Sequence, residues 1–139
     1  LAIYRLSKVK KRRYFLRFFD HVVYPEEPIE KPDEVVEYIL TIGANGGTSI
    51  DTAIRTAIDD LVNRKLNQYT NTIILITDGE DTVETRPEEL KENNISLVAI
   101  MIQGNNYSLK KLAEASNGKY LRAVIDFNGA LRIIEEVKE

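Results

Sequence analysis

Cysteine is absent from all 139 residues. That excludes disulfides, thiolate zinc sites and cysteine nucleophiles, and it fits a reducing compartment. No apolar run approaches the roughly 18 residues a membrane span needs, and no secretory-signal pattern is present. Positive charge is not in excess. Nineteen Lys and Arg face 22 Asp and Glu, a net charge of −3, which argues against non-specific nucleic-acid binding as the main task. Histidine occurs once, as His21, with no partner near it in sequence, so a structural or solvent-facing role is expected. The first residue is Leu1 and not methionine, so a fragment, a processed product or a trimmed chain is expected. Together these absences predict a cytoplasmic protein with neither a membrane nor a nucleic acid as partner.

What is present is ordinary for a globular protein: 43% hydrophobic and 29% charged residues, enough for one domain over 1–139 with a real core. Residues 1–11 put Ala2, Ile3, Leu6 and Val9 on one helical face, as in the second half of a helix. The basic run Lys8, Lys10, Lys11, Arg12, Arg13 suits a helix C-terminus. Arg13 to Phe19 is aromatic-rich and reads as a strand. His21 to Tyr24 reads as a second, antiparallel one. Pro32-Asp33 opens a predicted short helix through about Leu40, with Val35, Val36, Ile39 and Leu40 inward. Ile50, Ala53, Ile54, Ala57, Ile58 and Leu61 recur at helical spacing.

The stretch that carries most information is Ile73-Ile74-Leu75-Ile76-Thr77-Asp78-Gly79-Glu80. A strand apolar on every residue must be covered on both faces, as in an inner strand of a parallel sheet. Asp78 then falls at its carboxyl end, where open α/β sheets place their ligand sites. Pro87-Glu88-Glu89 opens a helix, and Ile95 to Ile102 is a second buried strand. Ser108 starts a helix with Leu109, Leu112 and Ala113 inward, closed by Asn117-Gly118 in a C-cap pattern. Tyr120 to Val124 is a short strand, and Asp126 caps a last helix carrying Leu131, Ile134 and Val137. The alternation from residue 49 onward predicts a three-layer α/β fold with a parallel sheet.

Two triplets, at Asn94 and Asn106, match the glycosylation pattern but carry no weight without secretion. Gly43-Ala44-Asn45-Gly46-Gly47-Thr48 resembles a phosphate loop but lacks the lysine that reaches the terminal phosphates. Thr48 has two candidate roles. One is the N-cap of the following helix, with Asp51 closing a capping box, though Ser49 could take over the cap. The other is an oxygen ligand for a hard cation. Asp78 is the stronger candidate ligand, with Glu80, Asp81 and Glu84 adding negative charge around it.

In this order and spacing, Gly46-Gly47-Thr48-Ser49, an alanine-rich helix and Ile74-Leu75-Ile76-Thr77-Asp78-Gly79-Glu80 resemble the von Willebrand factor type A (VWA) domain. Asn94 to Ile100 and Leu112 to Tyr120 are similar to its later segments. The resemblance implies a Rossmann-like fold and a metal-ion-dependent adhesion site that holds magnesium. The family's threonine and aspartate ligands match Thr48 and Asp78. The open position of the metal takes a carboxylate from a protein partner, and the family binds without catalysing. The short connections are similar to the intracellular prokaryotic branch, some of which works beside MoxR-type AAA+ ATPases.

The family's Asp-x-Ser-x-Ser motif and the central strand before it do not occur in this sequence. Magnesium binding is therefore expected to be weak or absent, and the sheet is expected to lack its central rung. The strands at 13–19 and 72–77 would then expose apolar edges, with three outcomes expected: the missing strand supplied by another copy (self-association) or a separate fragment (strand complementation), direct pairing of the two flanking strands, or partial disorder. One short antiparallel edge strand is expected beside the parallel ones. Besides an interaction module with a partial site at Thr48 and Asp78, two other readings stay open. One is a hydrolase or phosphotransferase using Asp78. The other is a structural remnant without metal.

Overall fold

The computed structural model describes residues 13–18, 21–23, 36–43 and 49–137. The strands are β1 (Arg13–Phe18), β2 (His21–Val23), β3 (Val36–Ile42), β4 (Thr72–Thr77), β5 (Ser96–Ile102), β6 (Lys119–Ile125) and β7 (Leu131–Glu136). The helices are α1 (Ile50–Val62), α2 (Pro87–Lys91) and α3 (Tyr107–Ala115), with a 3-10 turn at Leu66–Gln68. The strands form one seven-stranded sheet in the order β2-β1-β3-β4-β5-β6-β7. β1, β3, β4, β5 and β6 are parallel, and β2 and β7 are antiparallel at the two ends. This is the expected mixed, mostly parallel α/β fold, with two antiparallel edge strands where one was expected.

The apolar runs of β4 and β5 are inner strands, and their alternate residues face opposite ways. Ile73, Leu75, Leu97, Ala99 and Met101 join a core with Ile50, Ala53, Ile54, Ala57 and Leu61 of α1. Leu90 of α2 and Leu109, Leu112 and Ala113 of α3 belong to the same cluster. Ile76, Ile100, Ile102 and Ala123 form a second cluster on the other face, with Ile39 and Leu131. All three described helices thus lie on one face. The expected helix over 1–11 lies outside the described residues.

Two expected helices are strands. Val36–Ile42 sits between β1 and β4, pairing Leu16 with Ile39 and Leu40 with Leu75. It fills the central rung, so the apolar edges expected at 13–19 and 72–77 are paired on both sides. The physical reason is a period-2 pattern hidden inside the helical one. Val36, Tyr38 and Leu40 face the helices and Ile39 the opposite cluster. Branched and aromatic residues suit a pleated surface. One cost shows: Thr41 Oγ1 is buried with no hydrogen-bond partner among the described residues.

The second is the C-terminal segment. Asp126 does not cap a helix there. Its Oδ1 accepts from the N–H groups of Asn128 (2.9 Å) and Ala130 (3.0 Å), which makes a tight turn. Gly129 supplies the positive φ of 78°. The chain reverses, and Leu131–Glu136 runs back along β6.

On the helix-bearing face, β1, β3 and α1 are joined by a buried ionic group. Asp60, 1% exposed, accepts from the Tyr38 hydroxyl. It also pairs with Arg17 Nε at 3.4 Å and Arg64 Nε at 3.5 Å. Burial, then the Asp60 carboxylate, pushes the Tyr38 hydroxyl well above its ordinary range, so it stays a donor to that carboxylate.

Candidate functional site at the carboxyl rim

The carboxyl ends of β4, β5 and β6 are neighbours, because Thr77 pairs with Met101 and Met101 with Arg122. The loops that follow them form one rim. Asp78 is exposed on it, immediately after β4. Thr48 lies outside the described residues, so the expected convergence of Thr48 with Asp78 is not part of the described geometry. The N-cap of α1 is Ser49, whose Oγ accepts from Thr52 N at 3.0 Å.

Asp51, expected to close a capping box, does something else. Its carboxylate accepts from Glu84 N (3.0 Å), Thr85 N (2.7 Å) and Thr85 Oγ1 (2.5 Å). It bolts the loop after β4 to the first turn of α1. Burial alone would raise its pKa. The Thr85 hydroxyl, the two backbone N–H groups and the Arg55 charge outweigh that and hold it below the ordinary value. A depressed folded-state pKa stabilises above the free-chain value of 3.8 and is lost as pH falls through the lower folded value. Wild-type chain is therefore expected to lose a component of stability on acidification below about pH 4. Asp51→Asn is expected to be less stable at neutral pH and to lack that component. Urea midpoints at a series of pH values check this.

A second bolt comes from α3. Asn106, 4% exposed, caps α3 by accepting from Leu109 N (3.1 Å) and from the Ser108 hydroxyl (2.9 Å). Its Nδ2 donates to the carbonyls of Gly79 (3.2 Å) and Asp81 (2.9 Å). Its backbone N–H donates to the Tyr120 hydroxyl at 2.9 Å, and Ser108 Oγ accepts from Val83 N at 2.8 Å. Sequence reasoning missed this keystone. The signal was present, because Asn106-Tyr107-Ser108 is a helix-start pattern as well as a glycosylation triplet.

Two other loop acids, Glu80 and Asp81, accept from backbone as well. Glu80 Oε1 accepts from Asn105 N at 3.2 Å, and Asp81 Oδ2 from Ile50 N at 3.4 Å. Gly104, at φ +89°, leaves the room Glu80 needs; an added Cβ would lie 2.5 Å from Glu80 Oε1. Among the described residues no group of three or more His, Asp or Glu is arranged to hold a metal. These residues do not make a closed metal centre. Of the two expected ligands only Asp78 lies among the described residues, and one carboxylate by itself fits no more than a water-rich magnesium site.

The sequence model of the von Willebrand factor type A domain matches residues 21–136. The chain belongs to that family, a general class of protein-interaction and adhesion modules. It is also similar to the collagen alpha-1(XXI) chain of Xenopus laevis, 34% identical over 98 residues. Those residues cover 68% of this chain, and the match spans about a tenth, 10%, of that relative's length. No solved structure gives a significant match. No helix among the described residues is long and apolar enough to cross a membrane.

Proposed function

We propose that this chain is a protein-binding module that docks its partner on the carboxyl rim around Asp78 and does not catalyse. The observation that carries this reading is the preorganised loop after β4. It is held from two sides by Asp51 and Asn106 while Asp78 stays exposed. A surface fixed before encounter pays little ordering cost on binding. Thr48 and Asp78 are the proposed protein ligands of a weakly held magnesium ion, with water completing its shell. The partner contributes a carboxylate to that ion. The family resemblance supports a MoxR-type AAA+ ATPase as the partner class, and the cysteine-free composition supports a cytoplasmic setting.

Calorimetric titration with magnesium chloride tests the site. Wild-type chain is expected to bind with a Kd of about 1 mM, and Asp78→Asn is expected to show no binding heat. The absence of heat in both would remove the metal and leave a metal-independent rim. Equal heats in both would place the ion elsewhere.

A further inference from the structure

Among the described residues β7 ends the sheet, so its outward backbone groups have no neighbouring strand. Beyond the buried Leu131 its side chains are open: Ile133 is 44% and Ile134 48% exposed, while Arg132, Glu135 and Glu136 are also exposed. Charges and a bulge on such an edge work against indiscriminate pairing and leave room only for a partner matched in charge and register.

The faces of β7 follow from its register. Residues directly opposite in an antiparallel pair share a face. Leu131 opposes Ile125, Arg132 opposes Val124 and Ile133 opposes Ala123. Glu135 opposes Arg122, to which it is ion-paired at 2.5 Å, and Glu136 opposes Leu121. Ile134 is the extra residue of a bulge. Arg132 and Glu135 therefore lie on the helix-bearing face, and Leu131, Ile133 and Glu136 on the other.

This arrangement has a consequence for self-pairing. Two copies of a strand that pair antiparallel in one sheet are related by a two-fold axis normal to that sheet, which keeps each face on its own side. In a regular strand such pairing must centre on a residue. The bulge shifts the centre to the bond between Ile133 and Ile134. Arg132 then opposes Glu135 of the second copy on the same face, twice per dimer. Ile133 and Ile134 of both copies, each roughly half exposed, then flank the axis, and Leu131 opposes Glu136. The edge is complementary to itself in the charges of Arg132 and Glu135.

We propose that β7 is a homodimer edge, joining two seven-stranded sheets into one through Arg132–Glu135 pairs on either side of Ile133 and Ile134. A single short strand from each copy is at the low end of interface size, so the dimer is weak and concentration-dependent.

Sedimentation velocity on the 139-residue chain, from about 10 μM to about 1 mM, tests it. Wild-type chain is expected to shift from monomer to dimer across that range. Arg132→Glu and Glu135→Arg are each expected to stay monomeric alone, because each sets like charges against each other across the axis. Mixed in equal amounts they are expected to form a heterodimer, because opposite charges then meet on both sides. Ile134→Lys, at an exposed position, is expected to lower association at least tenfold with an unchanged circular dichroism spectrum. Wild-type chain that stays monomeric throughout overturns the proposal. So does a dimer that survives Arg132→Glu, or a mixture that fails to pair while both variants keep the wild-type spectrum.

Discussion

Gly118→Ala is expected to cost about 3 kcal/mol or more, close to the limit a domain of this size tolerates. An added Cβ would lie 1.8 Å from the carbonyl oxygen of Leu97 and 3.1 Å from that of Ala113. Both obstacles are backbone, so no side chain can swing aside. Leu97 is an inner residue of β5, buried against the helices, and moving its carbonyl disturbs the edge of β5 that faces the start of β6. The expected readout is a fall in melting temperature of roughly 10 °C, or failure to fold. Asn117→Gly is the contrasting variant. Asn117 holds the left-handed φ of +62°, which glycine adopts freely, so that change is expected to be neutral within about 0.5 kcal/mol. If Gly118→Ala melts with wild type, the close approach of the α3–β6 connection to β5 is wrong.

Asn106→Ala is expected to cost about 2–4 kcal/mol, combining a lost helix cap with two loop carbonyls stripped of their donor. The loss is expected to be local first. Amide exchange over residues 79–85 should accelerate more than exchange in β4 or β5, because Asn106 Nδ2 holds the carbonyls of Gly79 and Asp81. Asn106→Ser separates the two roles. A serine can still cap α3 but cannot reach both carbonyls. It is expected to recover about 1 kcal/mol of the loss while leaving the 79–85 segment as fast to exchange as in Asn106→Ala. Equal exchange rates in all three proteins would mean that the loop is fixed by Asp51 and Ser108 alone.

Elements whose local pattern and tertiary role agree were legible in the sequence. α1 was predicted by six apolar residues at helical spacing and is capped by the adjacent Ser49. β4 and β5 were predicted by apolar runs too continuous for a half-exposed strand. The two misread segments are short and carry both periods at once. In Val36–Ile42 the neighbours decided, since β1 and β4 each offered an apolar flank that only a strand could satisfy. In Leu131–Glu136 the turn decided, since Asp126 and Gly129 reverse the chain before a helix can start. At the C-terminus of α3, Asn117-Gly118 was read correctly as a cap but with the wrong emphasis. Asn117 takes the left-handed position. Gly118 N–H donates to the Ala113 carbonyl at 2.9 Å, and the bare Gly118 Cα makes the room beside Leu97. The position of Asp78 at the carboxyl end of β4 was legible, because the apolar run before it marks the strand. The bolts beneath it were not, because Asp51 to Thr85 and Asn106 to Asp81 join positions 34 and 25 residues apart, and no local pattern encodes such pairings.

From Val36 onward each strand lies beside its immediate predecessor, β3 to β4 to β5 to β6 to β7. No strand in that series has to wait for a later one before it can dock. A chain emerging from the ribosome can therefore lengthen its sheet one rung at a time, each new βα unit condensing on a template already in place. The same sequential order makes β3 the foundation: a lesion there leaves every later rung to assemble without its starting platform, with β4 as a bare apolar edge during synthesis.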